Sequence, residues 1–464
     1  WSARALVGLL WTIGGHVSLD VAIDARVLAF TIAVALGTGL LFGLAPAWRS
    51  TRVEPQTAMK SGGRGVTEGH SRFALGRVLV MSQVALSLVL LTGAGLMVGT
   101  FRSLATLDPG FQRDQVLLAS ADLRNAHHSA QRQRQFSHDM VARLRAEPGV
   151  RAASASEYTP LSGAAWNNFI LVDGFSPTSR DDALVDFNAV SNGYFATLGT
   201  PLLAGRDFNE SDTPGSPLVA IINETLAHKF FGHASPLGKQ FRVPAGKKLG
   251  PPIEVVGVVG DAKYQSLREK APPTAYLPYS QQQDPPSFMS FELRTAGAPT
   301  ALIPSVTSAF GEVNPAISLE FTTLSQQVAE SLTRERLLAM LSSVFGALAL
   351  ALAVIGIYGI MSYTVARRRN EIGIRIALGA AGSRVLRMVL GEVGRIVIIG
   401  VLLGLGAALA ATRLVSSLLY GVAPTDPAIL LLAALILIAM ALAAGALPAW
   451  RAARLDPVEA LREE

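Results

Sequence analysis

The stretch LLAMLSSVFGALALALAVIGIYGIMSYTVA, Leu337 to Ala366, holds no ionisable side chain apart from Tyr358 and Tyr363. A helix rises about 1.5 Å per residue and the hydrocarbon slab is about 30 Å thick, so this stretch spans with length to spare. Three arginines, Arg367 to Arg369, end it. Four more uncharged stretches lie outward from it: Val27–Trp48, Val78–Phe101, Ile396–Thr412 and Pro427–Trp450. Ile396–Thr412 measures only about 26 Å as a helix. Its flanking Arg395 and Arg413 can bury apolar stems while their charged heads reach the two interfaces. Only 16% of the 464 residues are charged, against roughly a quarter in soluble domains. Together these features exclude a soluble enzyme, a disordered chain and a disulfide-stapled secreted domain. The lack of cysteine fits an extracytoplasmic part but decides nothing.

Charge sets the orientation. The segments 49–77, 367–395 and 451–464 carry 16 basic and 8 acidic residues, whereas the long insert 102–336 carries 21 basic and 23 acidic. Short basic loops stay in the cytoplasm and long domains cross largely regardless of charge. The three basic segments are therefore expected inside, and 1–26, 102–336 and 413–426 outside. The basic excess reports topology, and nothing in it calls for nucleic acid.

Two segments match at a spacing of 402 residues: Gly43-Leu-Ala-Pro-Ala-Trp-Arg-Ser-Thr-Arg-Val-Glu-Pro-Gln-Thr-Ala58 and Gly445-Ala-Leu-Pro-Ala-Trp-Arg-Ala-Ala-Arg-Leu-Asp-Pro-Val-Glu-Ala460. The shared residues include Pro46, Trp48, Arg49 and Arg52, over Pro448, Trp450, Arg451 and Arg454; Pro55 matches Pro457. Each copy closes an apolar stretch, so a duplicated membrane unit is expected. Trp1–Ile13, apolar except for Arg4, reads as the stump of a further span. With equal copies, roughly 325 residues would precede Trp1. Within each copy Trp suits the interface, and Arg451 and Arg454 share a face turned to water or anionic headgroups. An anchor or a contact with a cytoplasmic partner would both use such a motif.

Between the spans lies Arg367-Arg-Arg-Asn-Glu371-Ile-Gly373-Ile-Arg375-Ile-Ala377-Leu-Gly379-Ala380. Ile372, Ile376 and Gly379 fall on one helical face, and Glu371 and Arg375 pair at i, i+4. The pattern predicts a short helix closed at Gly379, with Ser383 capping a second helix over 384–390.

This loop resembles the signature of FtsX-like permeases of the MacB class, and the tail from Pro448 to Arg462 is similar to that family's C-terminal signature. One departure is Ile376, where many members carry a basic or longer residue. The duplicated layout resembles the acidobacterial duplicated orphan permeases. The resemblance implies a multi-pass α-helical membrane protein with a large α+β extracytoplasmic domain of the MacB periplasmic type. It divides the chain into the tail of a first FtsX-like unit (1–60, span 27–48), a cytoplasmic linker (61–77) and a transmembrane helix (78–101). A MacB-like periplasmic domain (102–336, with an inserted subdomain at about 160–280) and an FtsX-like permease domain (337–464, spans 337–366, 396–412 and 427–450) follow.

Within 102–336 the pattern predicts an amphipathic helix over 131–145 and strands over 150–156, 218–222 and 253–259, with a helix over 223–231 between the last two strands. Other chemistry was weighed and set aside. Gly232-His-Ala-Ser-Pro-Leu-Gly-Lys239-Gln240 departs from a phosphate loop in spacing and in its final residue. His127, His128 and His138 lack metal-ligand spacing, and Asp207, Glu210 and Asp212 lack calcium-loop spacing, so a solvated turn is expected for the carboxylates. The pairs Gly39/Gly43, Gly95/Gly99 and Gly400/Gly404 permit close helix approach, either within the unit or at a dimer seam.

The resemblance implies a non-enzymatic permease subunit of an ABC-type efflux system in the bacterial inner membrane, with 102–336 in the periplasm. A cytoplasmic ABC ATPase subunit would bind the ATP, the permease holding no cofactor or metal of its own. Glu371, Gly373, Arg375, Ala377 and Gly379 would form the ATPase-coupling loop. Further expected partners are a second permease unit, in the same full-length chain or as a dimer, a periplasmic adaptor and membrane lipids. Export or release of cargo by mechanotransmission is the leading reading; a transmembrane regulator of a periplasmic enzyme is the alternative. A membrane-anchored enzyme is a third, favoured by no residue pattern. Single cysteines placed at Arg367 to Arg369 of this cysteine-free chain should react with impermeant thiol reagents only from the cytoplasmic side. Labelling from the periplasm would overturn the topology.

Overall fold

The computed structural model describes residues 25–50, 68–124, 129–245, 248–378 and 381–454. Long runs of Leu, Val, Ile and Ala satisfy every internal backbone group only as helices once water is absent. Among the described residues four helices are long and apolar enough to cross a membrane: Gly76–Ala105, Thr333–Arg367, Gly382–Leu418 and Pro427–Ala453. Upstream, α1 (Ala25–Ser50) covers the first expected span, with Leu28–Gly37 as a shorter apolar stretch.

Along the chain α2 (Glu68–Ala105) leads to β1 (Val116–Asp122), α3 (Ala130–Arg145), β2 (Val150–Ser156), β3 (Trp166–Phe169), β4 (Leu171–Val172) and β5 (Leu184–Val190). Next come α4 (Tyr194–Leu198), β6 (Leu202–Gly205), β7 (Val219–Asn223), α5 (Glu224–Phe231), β8 (Gln240–Ala245), β9 (Lys248–Val259), β10 (Thr274–Pro278) and β11 (Phe288–Thr295). The chain closes with α6 (Ile303–Val313), β12 (Ser318–Thr323), α7 (Leu324–Ser331), α8 (Thr333–Arg367), α9 (Arg369–Ala377), α10 (Gly382–Val415) and α11 (Pro427–Ala453). Two compact units emerge. One gathers the described residues up to Leu91, Gly346–Ala410 and those from Leu430 on; the other is Thr92–Phe345 with Ala411–Ile429.

The sequence pattern placed a short helix at 384–390 and a marginal span after it. Instead both belong to α10, which runs unbroken from Gly382. Gly391 and Gly394 weaken a helix without stopping it, and the intervening Glu392 finds counter-charges. The extra turns remove the length deficit of Ile396–Thr412.

Within the membrane unit, Val84 and Leu88 of α2 meet Ile357 of α8, Val393 and Val397 of α10, and Leu437 of α11. Lipid gives no hydrophobic drive between helices, so small residues and close contact hold them together. A Cβ built on Gly400 would lie 2.7 Å from Val84 Cγ1, and one on Gly404 2.9 Å from the Ala85 carbonyl oxygen. The Gly400/Gly404 pair therefore serves packing inside the unit. Gly39 has open space around it.

The second unit is built on a 12-stranded sheet, ordered β12-β1-β11-β2-β5-β10-β7-β9-β8-β4, with β3 on β5 and β6 on β9. Only β5/β10 and β7/β9 pair in parallel, so the domain is α+β with helices laid on an antiparallel frame. Phe136, Met140 and Leu144 of α3 and Phe310 of α6 pack on Leu117, Ala153 and Phe291 of the sheet. Asn223 caps α5 by accepting from Leu226 N–H at 3.0 Å, and Leu226 and Phe230 pack on Ile222, Phe241 and Val255. Gly95 and Gly99 lie against Ile429 and Val422 in this unit.

Glu292 of β11 stands fully buried in that frame. Its Oε2 accepts from Ser154 Oγ (2.7 Å) and its Oε1 from Ser156 Oγ (2.5 Å). Burial pushes the carboxyl up to about 7, the two hydroxyls pulling the other way. The native state thus holds the proton more tightly than the unfolded chain. Its stabilising effect is complete below the ordinary carboxylate range and is lost as pH rises from about 4.5 through about 7.

Two outcomes follow for stability. Gly404→Val should cost about 1–3 kcal/mol by overpacking and lower the melting temperature in detergent. Gly406→Val, at a position with nothing within 4 Å, should leave it nearly unchanged. For the outer unit, hydrogen exchange along β11 should quicken between pH 5 and pH 8. That increment should shrink in Glu292→Gln; an identical increment in the variant would refute the assignment.

Candidate functional site

At the end of α8 the chain turns without a break in hydrogen bonding: Arg368 N–H donates to Thr364 O (3.1 Å), and Ile372 N–H donates to Arg368 O (2.9 Å). Arg368, with φ −96° and ψ 14°, is the single residue between α8 and α9. The helix α9 is amphipathic in the sense expected from its spacing. Ile372, 1% exposed, packs with Val385 of α10 and Ala452 of α11, joined by Val365, Ile376 and Met388. Gly373 is buried beside it.

The opposite side is open. Arg375 Nη2 donates to Glu371 Oε1 at 2.6 Å, both side chains half exposed. Such a surface pair adds only about 0.3–0.5 kcal/mol, so its effect is to hold the two heads in place. Arg375 also reaches Met388 Sδ at 3.0 Å. Flanking the pair are Ile374 and Leu378, 48% and 82% exposed, and Ala377 is exposed as well. Leu378, rather than a glycine, forms the C-cap of α9; Gly379 lies outside the described residues.

The second copy of the repeat sits beside this loop in the same unit. Pro448 is buried inside α11, with Ala449 and Ala452. Arg451 Nη1 donates to Tyr358 Oη of α8 at 3.1 Å. The Arg454 guanidinium lies 3.9 Å above the Trp450 ring, a cation–π pair. The arginines expected to face water together thus take separate partners, Tyr358 and Trp450. Of the first copy, Pro46, Trp48 and Arg49 fall within α1; Arg52 lies outside the described residues, as does Pro457.

Residue spacing does not single out Glu392, which interrupts the apolar run of Val389, Leu390 and Val393. Its Oε1 accepts from Arg77 Nη2 of α2, and its Oε2 from Arg368 Nη1 at 3.3 Å. A solitary carboxylate within an apolar face was the available signal, because such a group needs counter-charges.

The outer unit shows what became of its candidate chemistry. Asp212 is buried, and accepts from Arg206 Nη1 and Nη2, both at 2.8 Å, and from Asn209 N–H. That corrects the expected solvated turn: the carboxylate closes its own loop against Arg206, which fits a structural pair better than a ligand set. The Gly232 N–H donates to His228 O, ending α5. The phosphate-loop-like string therefore follows a helix C-terminus, whose negative dipole end disfavours an anion. His138 lines an open cleft of about 750 Å³ with Arg134 and Arg145; His127 and His128 lie outside the described residues. Among the described residues no three His, Asp or Glu converge as a metal site would require.

Two domain families match. The MacB-like periplasmic core domain covers residues 78–310 and the FtsX-like permease C-terminal domain covers 343–457. YknZ of Bacillus subtilis, an uncharacterized ABC transporter permease, is 26% identical over 60% of this chain and 70% of its own. The pyoverdine export ATP-binding/permease protein PvdT of Pseudomonas savastanoi is 31% identical over 58% of this chain and 41% of its own. The macrolide export ATP-binding/permease protein MacB 1/2 of Paracoccus denitrificans is 30% identical over 62% of this chain and 44% of its own. The chain thus spans less than half the length of the two relatives that carry ATP-binding in their names. Among solved structures, the periplasmic region of MacB from Actinobacillus actinomycetemcomitans aligns over 48% of this chain and 94% of its own, at 18% identity and a TM-score of 0.34.

Proposed function

The chain belongs to the family of the MacB-like periplasmic core domain and carries an FtsX-like permease C-terminal domain, the make-up of an ABC transporter permease of the MacB/FtsX type, and we propose that α9 is where a separate cytoplasmic ATPase grips it. One observation carries this reading. The helix is pinned on one side through buried Ile372, yet presents Ile374 and Leu378 to the outside beside an oriented Glu371–Arg375 pair. Exposed apolar residues rimmed by charges mark a protein-interaction surface. The pinned side makes α9 move with α8 and α10 rather than fray.

On this reading ATP binds the partner subunit, and its closure displaces α9. Because α8 and α10 continue from the loop as long helices, a push at α9 becomes a shift of whole helices. Chemical energy would reach the extracytoplasmic domain as mechanical work, and cargo would be handled there for export or release. A second permease unit completes the pair that an ATPase dimer needs, and a periplasmic adaptor would receive the cargo. The setting is the bacterial inner membrane.

With the ATPase co-purified, Ile374→Asp together with Leu378→Asp should weaken its retention about tenfold or more. Glu371→Ala with Arg375→Ala should uncouple ATP hydrolysis from function while membrane insertion stays intact. Normal retention in the first variant and normal coupling in the second would remove α9 as the docking element.

A further inference from the structure

Glu392 lies on the face of α10 that carries Val389, Val393 and Ile396 into the core of the membrane unit. Its side chain is 17% exposed. On packing grounds a carboxylate does not belong there, since an apolar residue of similar volume often stabilises such a site better. What the carboxylate provides is connection. Arg77, its first partner, belongs to α2, the helix that continues into Val78–Phe101. Arg368, its second, is the residue between α8 and the candidate docking helix α9. One side chain thus joins the hinge of α9 to α2 by charge-assisted hydrogen bonds, which are directional and resist sliding. Apolar contacts between the same helices, such as Val84 with Val397 in the shared core, carry no such direction.

We propose that Glu392 is a positioning residue that transmits displacement of α9 to α2, drawing on Arg368 at one carboxylate oxygen and on Arg77 at the other. The inference rests on the docking role of α9 given above. It adds a route that the covalent chain does not supply, because α2 precedes the loop by some 300 residues of intervening sequence. Two guanidiniums converge on a single carboxylate, so the network depends on both bonds being held at once.

The test uses the full chain with its co-purifying ATPase, reconstituted in vesicles of phosphatidylethanolamine and phosphatidylglycerol. An environment-sensitive fluorophore is attached at Ser82→Cys, an exposed position of α2 in a chain with no other cysteine. ATP should change its emission. In Glu392→Gln the ATPase should still be retained, while the ATP response at position 82 falls about fivefold or more. Arg77→Gln should do the same, and Arg77→Lys, which keeps the charge, should recover most of the response. A full response in Glu392→Gln with the ATPase retained overturns the inference and leaves α9 docking intact. So does joint loss of retention and response in Glu392→Gln and Arg77→Gln, which marks a merely structural role. A wild-type background that retains the ATPase but shows no response also overturns it. Failure of the wild-type chain to retain any ATPase removes the docking reading, and this inference with it.

Discussion

Ionised groups cannot enter a hydrocarbon slab without partners, and that constraint arranges the membrane unit of this protein. Within it Arg77 and Arg368 share the Glu392 carboxylate, and Arg451 donates to Tyr358. Further along the same helices the contacts are mostly apolar, and small residues set the distance between them. Gly400 and Gly404 let α10 lie against the backbone of α2 near Met81 and Ala85. The helices are thereby tied at Glu392 by directional bonds and along α2 and α10 by close fit.

The outer domain meets the opposite problem, burying polar groups in a large sheet. It pairs its buried carboxylates: Glu292 takes two serine hydroxyls from β2, and Asp212 takes a guanidinium and a backbone N–H. Tyr264 takes a hydrogen bond from Asn188 and shares one with Tyr194 in the same core. Burial drives both phenols well above their ordinary range, so they remain neutral donors at any physiological pH. Paired buried polar groups favour a single arrangement of the core.

Local pattern was enough wherever neighbours in sequence are neighbours in space. The i, i+4 pair Glu371–Arg375, the buried face of 131–145 and the strand at 150–156 stand where residue spacing placed them; the strand expected at 218–222 is shifted by one residue to 219–223, and the one expected at 253–259 begins earlier, at Lys248. Reading failed at contacts between distant segments. Glu392 gave no local sign of its partner because Arg77 lies 315 residues away. The helix after Ser383 was expected to end at 390 because nothing local said that α10 would continue past Gly391 and Gly394. Asp212 looked solvated because its exposure depends on how the loop folds back on Arg206.

Residue order alone determined that four stretches form helices long and apolar enough to cross a membrane, and that a short helix with one apolar and one charged side lies between two of them. These depend on composition and on the fixed periodicity of the helix, which need no partner. Only the tertiary structure decided that glycines 400 and 404 face another helix of the same chain, that twelve strands join in one sheet, and that a single carboxylate links α2 to the hinge of α9. Each of those is a choice among partners far apart along the chain. Desolvation and close packing make that choice, and they act only once the helices and strands have met.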